Sequence, residues 1–235
     1  MNTERKISIS QVLLEGTKVG FKNLPSLIGA FILWILTIWI PYVNVGTTIA
    51  ISTLPIALSK GKVVSPTFIF DAKYRQYMGE YFTLLGMMFM ALIPAFFFLI
   101  IPGYTILISW SLALYIMIDK GIAPGEALVK SNKATYGYKW TIFGIFLVII
   151  LFSYALFAIL GKLFFVDYEL KNYFDSSSSI MLIPLFLLLI FINIISIGCQ
   201  AIIYRKLTEE KKLENNEFEK EINEIELEAQ AEVKE

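Results

Sequence analysis

Lys and Arg are sorted along this chain. Eighteen of the twenty fall in every second gap between its apolar stretches. Arg5, Lys6, Lys18 and Lys22 precede the first stretch, and Lys60, Lys62, Lys73 and Arg75 fill the third gap. Lys120, Lys130, Lys133 and Lys139 fill the fifth, and Arg205, Lys206, Lys211, Lys212, Lys220 and Lys234 follow the last. The alternate gaps hold only Lys162 and Lys171. A soluble fold gives no reason for such sorting. A polytopic membrane protein does, because Lys and Arg resist translocation and stay cytoplasmic. The pattern predicts an all-α bundle of six transmembrane helices in the cytoplasmic membrane, with both termini on the cytoplasmic side.

Composition agrees. A hydrophobic fraction of 57% and a mean hydropathy of +0.66 make lipid the solvent for most of the chain. The formal charge of zero hides an asymmetry: residues 1–208 carry a net +7 and residues 209–235 a net −7. The basic rim suits an anionic inner leaflet. Nucleic acid is not an expected partner, because the cations flank apolar segments rather than forming one soluble patch. The single Cys199 excludes an internal disulfide and reads as a packed core residue. About two dozen polar and mixed residues precede the first apolar run and no small-residue cleavage site follows it, which predicts an anchor that is retained.

The chain then divides into a membrane domain over 1–206 and an acidic cytoplasmic tail over 207–235. Residues 8–22 read as an amphipathic surface helix, with Ser8 and Gln11 at capping-box spacing and Ile9, Val12, Leu13 and Val19 on one face. Membrane segments are expected at about 26–42, 45–59, 81–101, 103–118, 140–161 and 180–204. The first two apolar runs are short, about 21 Å each at helical rise against a hydrocarbon core of ~30 Å. Two true crossings are expected, with a re-entrant hairpin as the alternative; both return the chain to the cytoplasm at Lys60. Residues 60–79 form a cytoplasmic loop with interfacial aromatics Phe68, Phe70, Tyr74 and Tyr77. Pro102-Gly103 marks an outer turn, residues 124–136 a second surface helix starting at Pro124, and residues 161–179 an outer loop.

The chain contains no His, which removes the commonest general base and metal ligand together. No phosphate-binding loop or nucleophile elbow is present. The apolar cores of the six segments hold no Asp, Glu, Lys or Arg, so a buried proton path is not expected. Neither cofactor nor metal is predicted. Uncharged polar groups remain: Asn44, Thr47, Thr48, Ser52 and Thr53 in the second segment, and Asn193, Ser196 and Gln200 on one face of the sixth. They read either as interhelical hydrogen bonds or as a polar path between segments two and six. Gly46-x-x-x-Ala50 and Ser109-x-x-x-Ala113 read as small-residue packing faces.

Several features also fall in a familiar order: Phe68-x-Phe70, Ile101-Pro102-Gly103, then Pro124-x-x-Ala127-Leu128-x-x-Ser131 with Gly137-x-x-Trp140, and Ala201-x-x-Tyr204-Arg205-x-Leu207. Over residues 8–207 the chain resembles the bacterial six-helix membrane proteins grouped as DUF975. It is similar to the YciC-like proteins and to the membrane domain attached to some glycerophosphodiester phosphodiesterases. The resemblance implies a six-helix bundle with cytoplasmic amphipathic helices and no established reaction. The expected role is a non-catalytic binding or scaffolding subunit, with lipids of the inner leaflet and a protein partner or self-association through the tail. A small transporter or lipid-handling protein is the alternative. Pro124, Ala127, Leu128, Ser131, Gly137 and Trp140 are the candidate interaction motif, and Asn193, Ser196 and Gln200 the candidate intramembrane polar face.

Overall fold

The computed structural model describes residues 7–170, 184 and 186–208, with the backbone alone over 163–170. The described residues are helical, with no strand among them. In chain order they form α1 (Ile9–Lys22), α2 (Leu24–Thr37), α3 (Pro41–Ser52), α4 (Leu54–Ser59), a 3-10 turn at Pro66–Phe70, and α5 (Ala72–Gln76). Then follow α6 (Met78–Phe98), α7 (Ile100–Ser109), α8 (Ala113–Lys120), α9 (Pro124–Thr135), α10 (Lys139–Leu170) and α11 (Phe186–Thr208). Five stretches are long and apolar enough to cross a membrane: Pro41–Ser59, Met78–Phe98, Ile100–Lys120, Lys139–Lys162 and Phe186–Thr208. The pair α1 and α2 passes the same test only jointly and is bent by 70°. Alone, the 14 residues of α2 span roughly 21 Å. The expected tail over 207–235 lies, beyond Thr208, outside the described residues. The expected outer loop begins as a continuation of α10 through Leu170.

Prolines act at helix starts more than as kinks. Pro25, Pro41, Pro55 and Pro124 each sit in the first turn, where a missing N–H costs nothing. Pro94 lies inside α6, and the helix runs through it. α3 starts at Pro41, so residues 41–46, which separate the first two apolar runs in the sequence, are its first turns.

The helix α1 forms as expected, with a different buried stripe. Ser8 occupies the N-cap but makes no cap bond; its hydroxyl pairs with that of Ser10 at 3.0 Å. Val12, Gly16 and Gly20, four residues apart, are buried against α11 rather than presented to a leaflet. An added Cβ at Gly16 would stand 2.7 Å from the Cys199 backbone, and one at Gly20 would stand 2.8 Å from the Ile194 carbonyl. Small residues on both sides let the two backbones touch. Glu15 clamps the same interface, accepting from Arg205 at 2.7 Å and Lys206 at 3.1 Å.

The loop after Lys60 folds back over α2 and α3. Ser26 donates to the Val64 carbonyl, Gly29 carries the Pro66 ring, and Gly46 carries the aliphatic stem of Arg75. Phe68 and Tyr74 turn inward, ring edge to face at 6.2 Å, onto a cluster with Ala30, Ile49 and Ile69. Only Phe70 of that aromatic set keeps the exposure expected of an interfacial anchor, while Tyr77 reaches toward Gly121.

The α9 helix has the expected bounds and a position closer to the core. It packs antiparallel to α8 after the left-handed turn at Gly121 (φ 61°), with Ala127 and Leu128 against Leu84, Ala113 and Met117. Its exposed side carries Glu126, Lys130, Asn132 and Lys133, and Glu126 pairs with Lys130 at 2.7 Å.

Candidate functional site

The predicted interaction motif is a splice in the bundle. Residues 110–112 interrupt the helix between α7 and α8, which frees backbone groups inside the protein. A broken helix at such depth needs side-chain partners. Ser131, wholly buried, supplies them: its hydroxyl donates to the Ser109 carbonyl at 2.7 Å and accepts from the Leu112 N–H at 3.2 Å. The Thr135 hydroxyl bonds back to the Ser131 carbonyl at 3.0 Å and lies 3.4 Å from the Ser109 carbonyl, an alternative acceptor for its one proton. Ala127 and Leu128 pack beneath, Pro124 starts the helix, and Gly137 (φ 86°) takes the reversal into α10 that a side chain would oppose. Trp140 stands apart from this group, 84% exposed at the start of α10, its ring edge-on to Phe143 at 6.2 Å.

The break faces a cavity of about 1110 Å³, bounded by α6, α7, α8, α10 and α11 and touched by Phe31, Ile51, Ser52 and Pro55. Its walls are Leu84, Met88, Ile108, Leu114, Phe143, Phe146, Leu147 and Ile150. Polar groups enter at few points: Tyr104, Thr105, Trp110, Ser111, Tyr115, Lys139, Asn193 and Gln200. A small-molecule pocket measures ~300–1,000 Å³ and is likewise mostly apolar with few polar groups. This one lies at or above that range, and lining residues such as Ile101, Ile150 and Trp140 are also exposed, so it opens at the surface.

The candidate polar face divides. Asn193 and Gln200 both reach the cavity. Asn193 donates to its own helix at the Leu189 carbonyl, 2.9 Å, and does not join its neighbours. Gln200 donates to Ser196 at 3.2 Å and accepts from the Tyr115 hydroxyl. From there a line of groups leads to the charged end of the bundle. The Tyr115 ring lies edge-on to Tyr204 at 5.8 Å, and Tyr204 donates to Asp119 at 2.7 Å. Asp119 in turn pairs with Lys60.

The polar set of the second segment faces elsewhere than the expected path. Trp34 donates to Thr48 at 3.0 Å, Thr37 pairs with Thr47 at 3.0 Å, and Thr48 donates to Asn44 at 3.1 Å. Thr53 bonds back to its own helix at Ile49, 2.9 Å. The Trp34–Thr48 and Thr37–Thr47 pairs join α2 to α3, and of the polar set only Ser52 reaches the cavity. The physical reason is shape: α2 and α3 are close antiparallel neighbours, and their hydroxyls find partners there first. Outside the membrane segments, Lys73 holds the Asp71 carboxyl below its usual range by a hydrogen-bonded pair at 2.9 Å.

Sequence reasoning missed Tyr104, Ser111, Tyr115 and Lys139. The first three carry no pattern that separates them from lipid-facing or packing residues. Lys139 was counted only as a cytoplasmic charge. No family model, no curated protein and no solved structure matches this chain.

Proposed function

We propose that the protein binds a membrane amphiphile in the cavity between α6, α7, α8, α10 and α11, and so belongs to the lipid-handling class. One observation carries this reading: a cavity of about 1110 Å³ with apolar walls and a few convergent polar groups, reached by Asn193 and Gln200. Apolar walls favour acyl chains, and amide and phenol groups suit the polar end of such a molecule. The scaffolding role loses one support, because α1 and α9 use their buried faces within the bundle itself.

The topology we read with it keeps both termini cytoplasmic and makes the α2–α3 hairpin re-entrant rather than twice crossing. The loop that bears Lys60, Lys62, Lys73 and Arg75 packs along the hairpin from Ser26 to Gly46, and Asp71 and Lys73 on it stay exposed. An exposed irregular loop with ions on it does not lie in hydrocarbon. Lipid carried through purification tests the function. Thr105→Trp, which places an indole in the cavity, should cut the lipid extracted per protein molecule about tenfold while the fold persists. Unchanged lipid content in that variant would sink the reading.

A further inference from the structure

We propose that Lys139 is an anion subsite of this cavity, so that the amphiphile bound there carries a negative headgroup, a carboxylate or a phosphate ester. The inference rests on the cavity reading above and adds the sign of the ligand's charge. Lys139 is the one charged side chain among the cavity's described lining residues, and no carboxylate lines it. Its ammonium donates to the uncharged Asn132 amide oxygen at 3.3 Å. It also opens α10, where the positive end of the helix dipole already lies. A cation is disfavoured at that end, and the two positive sources reinforce each other. An anion placed there answers both.

The position suits a headgroup. α9 runs antiparallel to α8, and Ser131 lies across from Ser109 and Leu112. That is roughly 12–16 Å from Lys120 along the helix axis. The outer side of α9 keeps Glu126, Asn132 and Lys133 exposed over this height, so water or lipid headgroups reach to the top of α9. The bond to Asn132, the residue after Ser131, sets the Lys139 ammonium at that level, next in sequence to the exposed Trp140. From Lys139 the α10 face toward the cavity becomes Phe143, Phe146, Leu147 and Ile150, an apolar wall of roughly 16 Å. Charge at the mouth and hydrocarbon along the wall is the arrangement an anionic amphiphile fills.

The experiment is native mass spectrometry of the full chain, titrated with oleic acid, dioleoyl phosphatidylglycerol and dioleoyl phosphatidylcholine. Wild type should bind one or both anionic probes about tenfold more tightly than phosphatidylcholine. Lys139→Gln should remove that preference and Lys139→Arg should keep it. Preference for oleic acid alone assigns a carboxylate from a free fatty acid, and for phosphatidylglycerol alone a phosphodiester from a bilayer lipid; both support the subsite. Equal affinity for all three probes, or a preference that survives Lys139→Gln, overturns the subsite and leaves the cavity reading standing. Binding of none of the probes overturns both.

Discussion

Ser131→Ala separates two accounts of the α9 motif by magnitude. An ordinary side-chain hydrogen bond between membrane helices is worth ~0.6 kcal/mol on average. Ser131 does more than that, because both of its partners are backbone groups at a helix break. Without its hydroxyl, the Leu112 N–H loses its partner at a buried position. A buried unsatisfied donor costs about 1–3 kcal/mol. The Ser109 carbonyl keeps only the long contact from Thr135 at 3.4 Å, whose single hydroxyl proton lies nearer the Ser131 carbonyl at 3.0 Å. The expected loss for Ser131→Ala is therefore about 1–3 kcal/mol, with a larger, non-additive loss in Ser131→Ala with Thr135→Val. Equilibrium unfolding in detergent micelles, followed by tryptophan fluorescence, reads both. A Ser131→Ala protein within about 0.5 kcal/mol of wild type would refute the splice and return the motif to plain packing.

Further predictions concern the other interfaces. Gly16→Ala should lose about 1–3 kcal/mol in the same assay, because its methyl would meet the Cys199 backbone, which cannot move aside as a side chain can, as well as its sulfur. The Glu15 clamp is partly exposed, so Glu15→Gln should cost no more than about 1 kcal/mol, and less at high salt. Asp71 caps α5 and pairs with Lys73, and its carboxyl is held low. Its contribution is present above the ordinary Asp value of about 3.9 and is lost as pH falls through the depressed folded value. Wild type and Asp71→Asn should therefore differ slightly at neutral pH and converge in strong acid, as read by unfolding midpoints across pH. The proposed re-entrant topology of the α2–α3 hairpin can be tested by thiol labelling, since the one native cysteine, Cys199, is buried. Asn44→Cys should react with a membrane-impermeant maleimide added from the cytoplasmic side. Labelling only from the outside would make the hairpin a true pair of crossings.

Helix positions were largely legible in the sequence, because apolar runs, first-turn prolines and charged ends are local signals. Pro124 marks the start of α9 in the sequence and in the structure. What the helices do with their faces was less legible. Residues 8–22 have the periodicity of a leaflet-bound helix, yet Gly16 and Gly20 let α11 come closer than lipid would. Nothing within α1 announces its partner, which lies about 180 residues away, at Gly198 and Cys199. The break at residues 110–112 was hidden for a related reason. Trp-Ser-Leu carries no proline or glycine, and the interruption is held by Ser131 and Thr135 from another helix. The polar face of α11 was readable as a stripe, and two of its three members reach the cavity. The cavity itself is a property of several helices together, so no single segment encodes it. Lys139 was visible as charge and invisible as a site, because its meaning depends on how far α9 climbs beside α8.

Occupancy of the cavity by an amphiphile is what the proposed function requires. A high-resolution structure of the full chain in lipid nanodiscs tests it most directly. Elongated density should lie between α7, α10 and α11, with its polar end within hydrogen-bond reach of Lys139 and its body passing Gln200 and Asn193. A collapsed, empty bundle in which Phe143 and Phe146 close onto Leu114 would contradict it.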